Sequence, residues 1–325
     1  MKILPFTKMQ AAGNDFVLID NRDASVSPGD FAGLAQKVSD RKFGIGSDGL
    51  ILLESSDSEL VMHYRNPDGS DAGMCGNGAR CFVRFARDLG YENDILFRVH
   101  DKLYRGELTG DNAGDNTGTT ETPGDDTGTT ETAGDDTGTT ETDGDTDAAG
   151  NSAGNPPGYN TANTVDTGVI IHFPLETRVT PLTVDGEDLL QVYTNTEHVV
   201  LPVPETRLDN EDELIEKGRT LRYHKLFSPA GTNVNFMSVS PDALKLQTYE
   251  RGVENLTLAC GTGAIAAALA WHHQEKNSPG DYSADVQVKG GTLTVHFTFN
   301  LSTKSYNKIR LEGPATTVFE GTFHT

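Results

Sequence analysis

The chain has 325 residues, the length of two ordinary domains, and a formal net charge of −22. That charge argues against nucleic acid or an anionic membrane as partner, because both recruit Lys/Arg patches. Three cysteines, an odd number in a long chain, no signal-like leader and no run of about 18 apolar residues point to a cytoplasmic protein with reduced thiols.

Residues 6–20 read as two strands around a Gly13-Asn14 turn, a common hairpin signal. Residues 31–38 have helical spacing. The glycine-rich loop 40–49 precedes an apolar strand, 50–53, and so is not a nucleotide loop, which needs a strand before it and a helix after it. Residues 59–65 alternate like a strand, and Asn66-Pro67-Asp68-Gly69-Ser70 is a turn. Met74-Cys75-Gly76-Asn77-Gly78-Ala79-Arg80 then leads into a helix that stops near Leu89-Gly90.

Between residues 110 and 166 the composition changes. A ten-residue unit at 115–124 recurs at 125–134 and 135–144, and residues 106–177 contain no Lys or Arg. A stretch of one charge sign and few apolar residues cannot offset its ordering entropy, so the expectation is a disordered acidic insert. The strand-like runs 95–99 and 169–173 flank it, which places it on a hairpin turn, where long insertions cost little.

Strands follow at 189–193 and 198–203, an acidic helix at 210–217, and strands at 233–239 and 243–251. A second phrase, Ala259-Cys260-Gly261-Thr262-Gly263-Ala264, opens an alanine-rich helix over 263–274. Strands at 286–288, 291–299 and the end of 313–321 complete the chain. Two strand-rich halves, each with one cysteine-headed helix, imply an internal duplication. The fold class is α+β, with two similar domains, each an antiparallel sheet or barrel wrapped around a central helix.

A helix N-terminus offers unpaired N–H groups and about half a positive charge, which lowers a thiol's pKa and binds anions. Glycines beside Asn77 and Thr262 let a ligand approach the backbone. Two such sites facing each other would put a base on one face of a carbon and an acid on the other. That is the two-base logic of a cofactor-independent racemase or epimerase. On spacing alone, small buried hydrophobes are the open alternative for Cys75 and Cys260.

Eight motifs carry a resemblance: Ala12-Gly13-Asn14-Asp15-Phe16, Phe43-Gly44-Ile45-Gly46-Ser47-Asp48-Gly49, Asn66-Pro67-Asp68-Gly69-Ser70, the Cys75 phrase through Cys81, Thr232-Asn233-Val234-Asn235-Phe236, Tyr249-Glu250-Arg251-Gly252, the Cys260 phrase, and Gly313-Pro314-Ala315-Thr316. In this order they resemble the diaminopimelate epimerase family along nearly the whole chain outside the insert. The resemblance implies PLP-independent conversion of LL-diaminopimelate to the meso form, on the lysine and peptidoglycan precursor route, without cofactor or metal. It implies two like domains closing on a small-molecule substrate, residues 1–184 plus 313–325 with Cys75 and residues 185–312 with Cys260, the last strand returning to the first domain. Oligomeric state is left open, with a homodimer as one option.

By the same resemblance Cys75 and Cys260 are base and acid, exchanging roles with direction. Gly76, Asn77, Gly261 and Thr262 hold the reacting carboxylate through backbone N–H groups. Asn14, Asn66, Thr196, Asn233, Glu250 and Arg251 bind the substrate, mostly at its distal end, and His198 and Glu250 tune the thiols. Cys81 reads as packing. One motif departs: where the family has Gly-Asn-Pro-His or Gly-Ser-Pro-His, this chain has Asn195-Thr196-Glu197-His198. A hydroxyl thus stands where the family's polar contact stands. The runner-up is another cofactor-independent amino-acid racemase, of proline, hydroxyproline or histidine type. Proline-type enzymes usually show histidine after the first Cys-Gly and Ser-Pro before the second cysteine, where this chain has Asn77 and Leu258-Ala259. Two retained thiols and glycine clamps speak against an inactive binding protein.

Overall fold

A computed structural model describes residues 2–56, 59–109, 168–241 and 243–325. The acidic insert at 110–166, expected to be disordered, lies outside the described residues. In chain order the elements are β1 (Ile3–Ala11), β2 (Asn14–Asp20), α1 (Phe31–Ser39), β3 (Gly49–Ser56), β4 (Glu59–Arg65), α2 (Gly76–Asp88), β5 (Asp94–Val99), β6 (Lys102–Leu108) and β7 (Gly168–His172). There follow β8 (Val179–Val184), β9 (Glu187–Tyr193), β10 (Glu197–Pro202), α3 (Glu205–Leu208), α4 (Glu211–Arg222), β11 (Asn233–Val239), β12 (Leu244–Glu250), β13 (Asn255–Thr257), α5 (Gly261–Glu275), β14 (Gly280–Val288), β15 (Gly291–Asn300), β16 (Ser305–Pro314) and β17 (Thr316–His324).

The pairing order repeats. β1–β2, β3–β4, β5–β6 and β6–β7 are antiparallel, while β2–β3 and β4–β5 are parallel. In the second half β9–β10, β11–β12, β14–β15 and β15–β16 are antiparallel, while β10–β11 and β12–β14 are parallel. The expected antiparallel ladders are thus joined by parallel steps. Each step spans a helical crossover, because a parallel neighbour cannot be reached by a tight turn. α2 sits in the β4–β5 crossover and α5 in the β12–β14 crossover, so the two cysteine-headed helices hold equivalent places. β17 returns to pair with β1, from Ile3↔His324 to Gln10↔Thr316, and β16 pairs with both β15 and β7.

The helices explain their own burial. α5 has no polar face: Gly261 through Ala270 are all buried, as expected of a helix apolar all round. Its alanines let the surrounding strands approach closely. α2 is buried from Gly76 to Val83, then opens to solvent at Arg84 and Arg87–Asp88. Gly90, at φ 95°, stops it in the left-handed conformation. Among the described residues no helix is long and apolar enough to cross a membrane.

The structure corrects two local expectations. The β1–β2 turn is centred on Ala12-Gly13, both at positive φ, with Ala11 paired to Asn14. This is the primed geometry that matches strand twist, and it makes Asn14 the first residue of β2. Second, the insert does not follow 95–99: β6 intervenes, pairing antiparallel with β7 through Leu108↔Val169. Alternation in β6 rests on buried Tyr104 and Gly106. A glycine carries no apolar signal, so the strand was not legible in the sequence. The strands on either side of the insert pair antiparallel, and the insert itself lies outside the described residues.

Candidate active site

Cys75 and Cys260 are the N-cap residues of α2 and α5, both with extended backbone, φ −111° and −122°. The two helix starts meet. A Cβ added at Gly76 would lie 3.5 Å from the Gly261 Cα, and one added at Gly261 would lie 3.4 Å from the Gly76 Cα. Both would also strike Leu311 of β16, at 2.9 and 2.8 Å. Only glycine lets these backbones and Leu311 share the space. Asn77 crosses the junction: its Nδ2 donates to the Ala259 carbonyl at 3.1 Å and to Asn14 Oδ1 at 3.3 Å. Thr262 is tied from the other side, its carbonyl accepting from Thr194 Oγ1 at 3.2 Å.

Burial decides the state of the thiols. Gly78 N–H donates to Cys75 Sγ at 3.4 Å, but burial outweighs that bond and Cys75 is pushed up to about 11. Burial, then the Glu250 charge, raises Cys260 well above the ordinary thiol range. The thiols are therefore protonated at neutral pH. The lowering expected from the helix ends is outweighed by lost hydration at buried Cys260 and half-buried Cys75. Glu250 ends β12 within electrostatic reach of both sulfurs. Burial raises its carboxyl to about 7, against the hydrogen bonds from Thr257 and Cys260.

A second cluster surrounds Arg251. Its Nη2 donates to Thr196 Oγ1 at 2.6 Å, and its backbone N–H to Asn233 Oδ1 at 2.9 Å. Asn233 Nδ2 donates to the Glu197 carbonyl at 3.0 Å and reaches Thr196 Oγ1 at 3.5 Å. The altered loop thus keeps a polar contact for Arg251. Asn195, at φ 69°, turns instead toward Tyr104 and Lys102 of β6. His198 is fully buried beside this cluster, paired in register with Asn233. Burial, then the Arg251 charge, lowers its pKa to about 3, so the ring is neutral.

Asn14 starts β2 and is held by Asp48, to which its Nδ2 donates at 2.5 Å, with its Oδ1 3.9 Å from Cys75 Sγ. Asn66 bonds within its own turn, Nδ2 to Ser70 Oγ at 3.0 Å, and is not tied to the other site residues by that contact. Cys81 is buried in the core, as expected for packing. Two further residues join the site, Arg80 and Asn235. Arg80 is fully buried and bonds Asn77, Gly76 and Pro314; Asn235 bonds His198. The Asn233–Asn235 spacing, one face of a strand, was the signal for the second of these. Among the described residues no cluster of His, Cys, Asp and Glu could hold a metal ion.

Solved structures share this fold. A PhzF-family phenazine biosynthesis protein from Bacillus anthracis matches over 100% of both chains with a TM-score of 0.68 and 12% identity. A hydroxyproline epimerase from Agrobacterium vitis covers 99% of this chain and 91% of its own, with a TM-score of 0.61 and 13% identity. At such identities the likeness defines the class of fold and no more. A profile described as diaminopimelate epimerase matches residues 6–122 and 190–315. The diaminopimelate epimerase of Chlorobaculum tepidum is 36% identical over 97% of this chain and 99% of its own, and that of Aquifex aeolicus 33% over 98% and 97%. The chain belongs to the diaminopimelate epimerase family.

Proposed function

We propose that this chain is a diaminopimelate epimerase that interconverts LL-2,6-diaminopimelate and its meso form with Cys75 and Cys260 as the two acid–base groups. The observation that carries the reading is the meeting of two cysteine-capped helix starts at Gly76 and Gly261. A substrate α-carboxylate at the N–H groups of Gly76, Asn77, Gly261 and Thr262 would be stabilised as its Cα–H is removed, because those donors are fixed in advance by the helix starts. One sulfur, as thiolate, takes the proton from one face, and the other thiol delivers a proton to the opposite face. Glu250, near pH 7 and hydrogen-bonded with Cys260, is suited to take a thiol proton, because a base works best with a pKa near the working pH.

Arg251, Thr196, Asn233, Asn14 and Asn66 bind the distal amino-acid group in this reading. The two halves, 1–184 with 313–325 and 185–312, act as domains closing on the substrate. A cytoplasmic location goes with the reading, and a homodimer is the assembly to test. The decisive experiment is deuterium uptake from solvent at Cα of LL-diaminopimelate by the wild type, Cys75→Ala and Cys260→Ala. Uptake by the wild type and its loss by at least ~1,000-fold in either variant is expected, since acid–base groups contribute about 10²–10⁴ each. No exchange on diaminopimelate, with exchange on proline or histidine, would overturn the proposal.

A further inference from the structure

β11 presents Asn233 and Asn235 on one face. Asn233 belongs to the Arg251 network, whereas Asn235 is buried with its whole amide engaged. Its Nδ2 carries two hydrogens. One goes to the Val199 carbonyl at 3.0 Å and the other to His198 Nδ1 at 3.1 Å, while Oδ1 accepts from Thr248 Oγ1 at 2.9 Å. Turning the amide over would set Oδ1 against the Val199 carbonyl oxygen, two acceptors face to face, so these bonds fix its orientation.

An amide NH2 donates and has nothing to accept with. His198 Nδ1 is therefore bare, and the proton of the neutral ring sits on Nε2. That Nε2 is buried and has no hydrogen-bond partner among the described residues. A buried donor without a partner is costly and rare. The amide is also confined by α5. A Cβ at Gly263 would lie 2.5 Å from Asn235 Oδ1 and 3.0 Å from Thr248 Oγ1, so the second glycine of the Cys260 phrase admits Asn235 beneath the helix start.

We propose that Asn235 is a positioning residue that locks His198 in its Nε2–H form, so that His198 serves the reaction as a fixed N–H donor to negative charge and not as a proton acceptor. This rests on the two-thiol reading for its chemistry, but not for its structural half. Burial and the Arg251 charge act in the same direction by keeping the ring neutral.

The test is nitrogen-15 NMR of the full chain labelled at histidine, at neutral pH and without substrate, with the His198 signals assigned by their loss in His198→Gln. A protonated Nε2 and a bare Nδ1 are expected. A proton on Nδ1 overturns the proposal, and this measurement stands apart from any diaminopimelate assay. For the chemistry, the Gln amide can place an N–H near the Nε2 position but cannot act as a base. His198→Gln is expected to keep at least about a tenth of wild-type kcat and His198→Leu to lose at least ~100-fold. Equal loss in the two, both folded by circular dichroism, refutes the donor role. Asn235→Leu is expected to lower kcat about tenfold with KM little changed, since it frees the tautomer without touching substrate.

Discussion

The Arg80 guanidinium donates to Asn77 Oδ1 at 2.8 Å, and the amide so held sends its Nδ2 across to the Ala259 carbonyl, next to Cys260. Arg80 also bonds the Gly76 carbonyl at 3.3 Å and the Pro314 carbonyl at 3.2 Å. One side chain therefore ties the start of α2, the second cysteine phrase and the β16–β17 junction. Each of these acceptors is a neutral oxygen. Burial lowers Arg80 to about 10, which leaves it a cation at neutral pH, at the start of α2 where the two cysteine-headed helices meet.

Arg80→Met should strand the buried Asn77 Oδ1 and remove the bonds to the Gly76 and Pro314 carbonyls, loosening the junction. The expected cost is about 2–3 kcal/mol, since one unsatisfied buried group costs roughly 1–3 kcal/mol and the other two bonds add less. Arg80→Lys, which keeps the charge but not the planar fork, should fall between. Urea denaturation of the three proteins measures this, and a loss below about 1 kcal/mol for Met would show that the bonds contribute little.

Gly76→Ala and Gly261→Ala should damage activity far more than stability. Each Cβ would press on Leu311 and on the opposite helix start. Prising the ends apart by even ~1 Å is the kind of misplacement that costs about 100-fold in rate. Because the tightest contact is the end of the Leu311 side chain, Leu311→Ala combined with Gly261→Ala should recover part of the loss. Steady-state kinetics of the single and double variants would show it, and unchanged kcat in both alanine variants would contradict it.

Asp15 should contribute stability that acid removes. Burial alone would raise its carboxyl, but Arg41 and Lys8 hold it down to about 2, with contacts of 2.7 Å to each. A folded pKa below the unfolded 3.8 means that the unfolded chain binds more protons between those values. The contribution is thus full above pH ~4 and lost as pH falls toward 2, on the order of 2 kcal/mol at most. In Asp15→Asn that acid limb should flatten in equilibrium unfolding, while stability at neutral pH falls because Lys8, 5% exposed, loses its counter-ion.

Glu250 should behave in the opposite sense. Its folded pKa of about 7 lies above the unfolded 4.5, so the folded chain binds more protons in that window. Stability should fall as pH rises from about 4.5 through 7, by up to roughly 3 kcal/mol. Glu250→Gln should remove this slope and be the more stable protein at pH 8, while losing activity. Parallel slopes for the two proteins would mean that burial does not hold the proton on Glu250.

Thr196→Val tests the altered loop. Removing the hydroxyl takes away the acceptor of Arg251 Nη2 and a contact of Asn233. A fall in kcat/KM of about tenfold is expected from one charged hydrogen bond, carried mostly by KM if the contact serves the distal end of the substrate.

Much of this protein is determined by local pattern. The cysteine-glycine phrases, the helices they cap and most strands follow from apolar spacing, glycine placement and capping rules, which act over a few residues. The duplication was legible because each half repeats a helix start that only a narrow set of residues can form. β6 and β16 were missed because their alternation is carried by glycines or by residues whose partners lie far along the chain. Three things belonged to the tertiary structure alone: the meeting of Gly76 with Gly261 under Leu311, the rise of both thiol pKa values, and the hold of Asn235 on His198. Each depends on groups far apart in sequence sharing one dry volume. Desolvation and close contact are properties of that volume, not of the residues that enter it.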